Sequence, residues 1–388
     1  MNEVAVKTEK PTSAAGVLDV IADAGASGRR LEIIGGGTKR SIGRVEGADA
    51  VLSLARLDKV IDYAPEELVL TAQAGAKLSV LEALVAAEGQ ILPFEPPHLT
   101  GLLRSKGEPT LGGLLAANLS GPRRIRAGAA RDHFLGFEAV TGRGEAVKAG
   151  GKVVKNVTGY DLSKLMAGSW GTLAVLTEVT IKVLPVGRTE LTLMIFGLDD
   201  RRACEVMSLA MNAPVELSGA AHLPQRTAAR APLKGQMAVT ALRLEGFAAS
   251  VAARVEALLA ALKGFGRAEQ LDAAHSREFW VQIREAEAFH GDRRPLWRIS
   301  VPPASGWRVA ETLVGEALYD WAGGLVWLLS DDAPASVRAA VRALGGHATC
   351  YRGDAPAFEP LTGPLAALTG RVKAAFDPKG VLNPGRMG

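Results

Sequence analysis

The sequence predicts an α+β protein in two domains, on three observations. Short apolar strands alternate with helices along all 388 residues. Most of the 44 glycines lie before residue 188, whereas five of the six tryptophans lie after it. Pro185 and Gly187 close an apolar run where that shift occurs, which sets the expected boundary between a first domain at 1–187 and a second at 188–375. With 48% hydrophobic and 22% charged residues the composition is that of a globular protein, long enough to bury its core without metal or disulfide staples.

Each element follows from local pattern. Thr12 or Ser13 caps a helix running through Ala26, and LEII (31–34) is a strand leading into three glycines. AVLSL (50–54) and LVLTAQAG (68–75) read as strands, and LSVLEALVAAEG (78–89) as a helix stopped by Gly89. A short helix lies within GGLLAANLSG (112–121). A β-hairpin in FEAVTGRGEAVKAG (137–150) turns at Gly142-Arg143-Gly144. GTLAVLTEVTIKVLPV (171–186) is β-rich. In the second part, 191–198, 297–301 and 325–330 are strands, 251–264 has helical spacing, and a helix is expected near 308–320. The alternation suggests a split α+β sandwich.

Composition also excludes functions. The longest uncharged stretch, Pro109 to Pro122, is too short and too rich in glycine and proline to cross a bilayer, and no secretory leader is visible in MNEVAVKTEK. Cys204 and Cys350 are far apart and form no CxxC pair. Two cysteines are too few for a four-cysteine zinc site or an iron–sulfur cluster, and the cytoplasm is the expected compartment. The six histidines form no His-x-His or HExxH pair, so no metal site is expected, and His290 reads as a packing residue. The net charge of +4 is local. Arg104, Lys106, Arg123, Arg124, Arg126 and Arg131 face a single Glu108 between residues 101 and 131. That pattern suits a small anionic ligand better than nucleic acid.

Three segments carry chemistry. Gly35-Gly36-Gly37-Thr38-Lys39 follows a strand, so its backbone can approach an anion closely and Lys39 adds charge; otherwise it is a flexible turn. It is neither GxGxxG nor a P-loop, and Gly151-Lys152 fails the P-loop pattern at Ala146 and Val153. In PTLGGLLAANLSGPRR, Gly112 and Gly113 open a helix whose N–H groups suit a pyrophosphate, with Asn118 and Ser120 as polar groups and a turn at Gly121-Pro122; packing through small residues is the competing reading. In GYDLSKLMAGSWGT, Asp161 is expected to cap a short helix, and Gly168, Ser169, Gly171 and Thr172 form a loop entering a strand, able to set amides against a flat heterocycle.

Together, in this order and spacing, these segments resemble the PCMH-type FAD-binding family, the vanillyl-alcohol oxidase type, over about residues 13–187. LPFEPPH (92–98), GKVVKNVTGYDLSKLMAGSWGTLAVLTE (151–178), LWRISVPP (296–303) and FDPKGVLNPGRMG (376–388) extend the similarity over nearly the whole chain, to the FAD-binding E subunits of bacterial glycolate oxidases. The resemblance implies a two-subdomain flavin domain, an α+β cap, and a tail at 376–388 that returns to the flavin domain with Asn383 near the cofactor. It implies FAD, held non-covalently because Thr38 stands where flavin-tethering relatives have histidine. It implies a complex with a second FAD-binding subunit and an iron–sulfur subunit that oxidises glycolate or D-lactate, with any attachment to the inner face of the membrane made through partners. The His-rich metal motif of catalytic relatives is absent. Oxidising a 2-hydroxy acid needs a cation for the carboxylate and a base for the hydroxyl proton: Arg123, Arg124 or Arg131 is a candidate for the first, and His133 or Tyr160 for the second, against structural roles for each. Two alternatives stay open: an assembly subunit with structural or no flavin, and a stand-alone sugar or lactone oxidase. On this reading a Gly36→Asp side chain would project where a pyrophosphate sits.

Overall fold

The computed structural model describes residues 7–151, 160–232 and 236–387. Part of the segment GKVVKNVTGYDL, at 152–159, therefore lies outside the described residues. The first domain is built on two main sheets and one two-stranded pair. β1 (Lys7–Glu9), β2 (Leu31–Ile34) and β3 (Ala50–Ser53) form a parallel sheet in the order β1-β3-β2. The helix Ala14–Ser27 connects the first two strands. Ser13 caps it by accepting from the Gly16 amide at 3.2 Å, and Gly28 ends it in the left-handed conformation (φ 72°).

The second sheet is antiparallel: β4 (Val60–Ala64), β5 (Val69–Gln73), β7 (Phe134–Thr141), β8 (Ala146–Gly150) and β9 (Ala174–Lys182), in the order β4-β5-β9-β7-β8. The expected hairpin is β7–β8. The cross-strand pair Thr71 and Thr180 shares a hydrogen bond of 2.9 Å. A short β6 (Gln90–Ile91) pairs with β10 (Leu184–Pro185), tying the run after β9 back to the helix Leu78–Ala87.

The second domain is built on one eight-stranded sheet: β11 (Thr189–Phe196), β12 (Gly219–Leu223), β13 (Val239–Gly246), β14 (Ala268–Leu271), β15 (Leu296–Ser300), β16 (Glu316–Asp320), β17 (Leu325–Leu329) and β18 (His347–Arg352). Their order is β14-β11-β13-β12-β16-β17-β15-β18. Side-chain alternation divides the sheet into two faces. Leu193, Leu242, Ile299, Tyr319 and Leu328 pack under the helices 200–212, 248–261, 306–312 and 334–343. Met194, Ala241, Leu296, Leu318 and Trp327 belong instead to a core shared with the first domain. The helix expected near 308–320 is only Gly306–Thr312; residues 316–320 are β16. Ala317 and Tyr319 on one side and Leu318 on the other alternate as in a strand buried on both faces, a pattern that a short apolar run does not separate from a helix.

A buried ion network joins the domains. Glu95, in the turn LPFEPPH, has a left-handed backbone (φ 49°), and its carboxylate takes both guanidinium nitrogens of Arg243 on β13 at 2.9 Å. It also accepts the Arg123 amide at 2.9 Å and meets the Arg123 guanidinium at 3.0 Å. Arg123 in turn chelates Glu245, with contacts of 2.7 to 3.2 Å. The two arginines hold Glu95 below the usual carboxylate range against the opposing effect of burial, and hold Glu245 down to about 2.

Arg243→Met should destabilise the protein by about 3–5 kcal/mol, because it leaves Glu95 buried and under-compensated. Urea unfolding would show a shifted midpoint at unchanged slope. Since Glu95 and Glu245 have lowered folded pKa values, their contribution is present above the ordinary value of 4.5 and is lost as pH falls toward about 2. Acid unfolding of the native chain should therefore fall in that window, and that of Arg243→Met at higher pH.

Candidate functional site

A cleft of about 790 Å³, open to solvent, lies between the loop after β2, the helix Leu111–Ala117, the loop before β9 and the C-terminal tail. Of the residues singled out in the sequence, Gly35, Gly36, Gly37, Thr38, Lys39, Gly112, Gly113, Ser169, Gly171 and Asn383 line it. Asn118, Ser120, Gly121, Asp161, Gly168 and Thr172 do not.

The two glycine segments play different parts. Among the described residues the amides of Gly35, Gly36 and Gly37 donate to no protein group. The amides of the second segment are already used. Gly112 donates to the Ala74 carbonyl at 2.8 Å and Gly113 to the capping hydroxyl of Thr110 at 3.4 Å. A Cβ on Gly112 would sit 2.6 Å from that of Ala74, so this glycine lets the helix rest on the end of β5. The expectation of open donors at Gly112-Gly113 is corrected accordingly. Gly36 also packs tightly: a Cβ there would meet the Glu108 carbonyl oxygen at 1.6 Å. An aspartate at 36 would thus drive into the 107–109 backbone rather than project into the cleft.

Two cations flank the loop. Lys39 is buried, with only weak contacts to Thr38 Oγ1 at 3.4 Å and the His98 carbonyl at 3.3 Å. Burial pulls its ammonium down to about 8, opposed by the charge of Glu285. Arg386 of the tail reaches back to the Lys39 carbonyl at 3.0 Å, and its Nε has no partner among the described residues. Burial lowers its guanidinium to about 10. Sequence reading missed Arg386 and Trp170, whose ring lies 5.4 Å from the Arg386 guanidinium carbon. The motif NPGRMG carried the arginine, but nothing in its pattern located it.

The tail is a structural clamp. Leu31 donates to the Val381 carbonyl at 2.7 Å and Asn383 to the Leu31 carbonyl at 2.9 Å, so 381–383 runs along β2. The Asn383 side chain accepts from Ile33 N at 2.7 Å and donates to the Trp170 carbonyl at 2.8 Å. Asp377 starts the turn by accepting from the Val381 and Leu382 amides at 2.9 and 2.8 Å and from Lys373 at 2.5 Å. In the third segment, Gly171 is left-handed (φ 68°), and a Cβ there would meet Asn383 Nδ2 at 2.9 Å. Asp161 occupies the N-cap position without making a capping bond, pairing with Lys164 instead, so the expected cap is corrected. Asn118 Oδ1 accepts from Arg131 N at 3.1 Å and Ser120 Oγ from Ala130 N at 2.9 Å; both order the chain beneath the cleft. Thr172 Oγ1 donates to the Ser169 carbonyl at 2.7 Å.

None of the five candidates for substrate chemistry lines this cleft, and Arg123 is paired with Glu95 and Glu245. His133 is buried; its Nε2 donates to the Ala127 carbonyl at 2.8 Å, its ring packs on Phe94, and burial lowers its pKa. Tyr160 is exposed, and Arg131 is exposed beside Asp132 at 3.7 Å. Arg124 lies over the Trp321 ring at 4.3 Å, at the junction with the second domain. His290 Nε2 donates to the Glu285 carbonyl at 3.1 Å and its ring packs on Gly101. Among the described residues no group of three or more His, Cys, Asp and Glu is placed to hold a metal, and no helix is long and apolar enough to cross a membrane.

Residues 8–150 match a family described as an FAD binding domain. Glycolate oxidase subunit GlcE of Escherichia coli (strain K12) is 37% identical over 329 residues, 84% of each chain. D-lactate dehydrogenase of Anaerostipes hadrus is 34% identical over 169 residues, 44% of this chain and 33% of that protein. Glycolate oxidase subunit GlcD of Bacillus subtilis (strain 168) is 35% identical over 144 residues, 37% of this chain and 29% of that one. Among solved structures, 4-ethylphenol oxidase from Gulosibacter chungangensis superposes with a TM-score of 0.72 over 98% of this chain and 88% of its own, at 14% identity. Alkyldihydroxyacetonephosphate synthase superposes at 0.70 over 97% and 76%, at 18% identity. These likenesses give the fold.

The glycine geometry separates two variants. Gly112→Ala should lower the unfolding midpoint, by about 1–3 kcal/mol of overpacking, because its methyl group would meet Ala74. Gly113→Ala, whose Cβ would meet only Thr110 Oγ1 at 3.1 Å, should stay within about 1 kcal/mol of the native chain in the same thermal or urea unfolding experiment.

Proposed function

The chain belongs to the family of glycolate oxidase subunit GlcE, and from that premise we propose that it is the FAD-carrying subunit of a complex that oxidises a 2-hydroxy acid to a 2-oxo acid. One observation carries the cofactor assignment: three consecutive amides without a protein partner among the described residues, at Gly35, Gly36 and Gly37, line a cleft beside the under-partnered ammonium of Lys39. Successive N–H groups with an adjacent cation form an anion cradle, and the diphosphate of FAD is the anion that this family supplies. Arg386, with an unpaired Nε, adds a second cation to the same wall. When bound, FAD supplies the hydride acceptor.

In this reading Lys39, Arg386 and the three amides hold the diphosphate. Asn383 fixes the tail, and through Trp170 the loop at 168–172, against the same cleft. Binding is non-covalent, Thr38 being unsuited to tether the ring. We assign 1–187 to the flavin domain, 188–375 to the cap and 376–388 to the tail. The partners are a second FAD-binding glycolate oxidase subunit and an iron–sulfur subunit. The compartment is the cytoplasm, with membrane attachment made through those partners.

The purified chain should show flavin absorption bands, or acquire them on incubation with FAD; no bands after incubation would sink the proposal. Affinity should also depend on pH with a defined sign. Lys39 is an ammonium below about 8 in the free cleft, so FAD binding should weaken as pH rises from 7 toward 9. Lys39→Met should bind roughly tenfold or more weakly at pH 7 and lose that dependence, as read by fluorescence titration.

A further inference from the structure

The sheet face turned toward the first domain carries two arginines with opposite surroundings. Arg243 on β13 is well paired: Glu95 accepts from Nη1 and Nη2, the Ser218 carbonyl accepts from Nη2 as well, and the Ser218 hydroxyl accepts from Nε. Arg298 on β15, paired with Trp327 on β17, has no hydrogen bond and no ion pair among the described residues. Its guanidinium carbon lies 5.0 Å from the centroid of the Trp321 ring and 5.9 Å from that of Trp327. From the first domain, Arg124 reaches the same Trp321 indole at 4.3 Å, also without an acidic partner. The indole is fixed at the junction because its Nε1 donates to the Gly121 carbonyl at 2.9 Å.

The nearby acids form no ion pair with either arginine among the described residues. Asp320 is buried and accepts from the Trp321 amide at 2.7 Å, and burial raises its carboxyl to about 7 although the Arg298 charge opposes this. Asp132, whose charge acts on Arg124, accepts from the Ala129 amide at 2.9 Å. His347, at the start of β18, is near enough that Arg298 and Arg124 add to burial in lowering its pKa. Two partly buried guanidiniums beside one indole, neither of them ion-paired with a carboxylate among the described residues, repel one another. Such an arrangement costs stability unless an anion completes it. A guanidinium over an aromatic face also keeps its in-plane N–H groups at its edge, where a carboxylate can take two of them.

We propose that Arg298 and Arg124 form a carboxylate-binding site at the junction of the two domains, one cation from each, and that it takes the carboxylate of a small 2-hydroxy acid. The anion site stands on the side chains alone; the identity of its ligand rests on the function proposed above. The Trp321 and Trp327 faces favour a small ligand with an apolar side over a polyphosphate. The site gives this subunit its own substrate contact and makes its occupancy sensitive to how the two domains close on each other.

Oxalate, a small carboxylate that this chemistry cannot oxidise, is the probe. It would be titrated into the full chain by calorimetry, with flavin content and thermal midpoint measured on the same sample. Arg298→Met and Arg124→Met should each lose at least tenfold in oxalate affinity, Arg298→Lys less, and Arg126→Met, whose side chain pairs with Glu216, nothing. If Arg298→Met does not fold, Arg124→Met decides alone. Native-like oxalate binding in the folded methionine variants, or no oxalate binding by the native chain at millimolar concentration, would overturn the site. A chain that binds oxalate through these arginines but takes up no FAD would overturn the proposed function and leave the site standing.

Discussion

A single buried carboxylate, that of Glu95, determines how the two domains meet. It occupies a left-handed turn that a non-glycine residue enters only at a cost, and it is removed from water, a second cost. Both are offset only because Arg123 and Arg243 close on it from the two domains at once. An ion network of this kind adds little net stability, since apolar residues of the same volume often pack as well. What it provides is directional: the fork of Arg243 fits the carboxylate in one orientation, which fixes the eight-stranded sheet relative to the loop at 92–98.

From that loop the same constraint reaches the cleft. Glu285, at the end of the helix 273–285, accepts the His98 and Leu99 amides at 3.1 and 2.6 Å. The His98 carbonyl is one of the two weak contacts of the Lys39 ammonium. The second domain therefore orders the peptide that borders the glycine loop, while the tail, through Asn383 and Arg386, borders it from the other side. The loop itself makes few bonds. Its neighbours are rigid and its amides are unclaimed, which is what an anion cradle requires: donors held in place but not satisfied.

Much of the first domain was legible in the sequence because its signals are local. Ser13 before an apolar period, the Gly142–Gly144 turn between alternating strands, and glycines directly after a strand each act within a few residues. The second domain was less legible. Residues 316–320 alternate on two buried faces, and the strand identity of so short a run is decided by β12 and β17 on either side, which no local window contains. Site residues divide the same way. Gly35–Lys39 announced themselves by type and spacing, whereas Arg386 matters because of where the tail lies. Gly112 and Gly113, adjacent to each other, are indistinguishable in sequence, yet one is packed against Ala74 and the other has room.

The positive charge concentrated between residues 101 and 131 shows why composition alone misleads about ligands. Arg123 is spent on Glu95 and Glu245, Arg126 on Glu216, and Arg104 on the carbonyls of Gly291 and Asp292. Arg131 and Lys106 are exposed, where water and salt screen them. Arg124 is the remaining cation, half-buried at the domain junction and without an acid of its own among the described residues. Burial lowers its pKa first, and the charges of Arg298 and Arg131 lower it further. A surplus that looks like a basic patch in the sequence is thus mostly structural in the fold. The residue that carries chemical information is the one whose charge enters no ion pair among the described residues, next to a second arginine in the same condition.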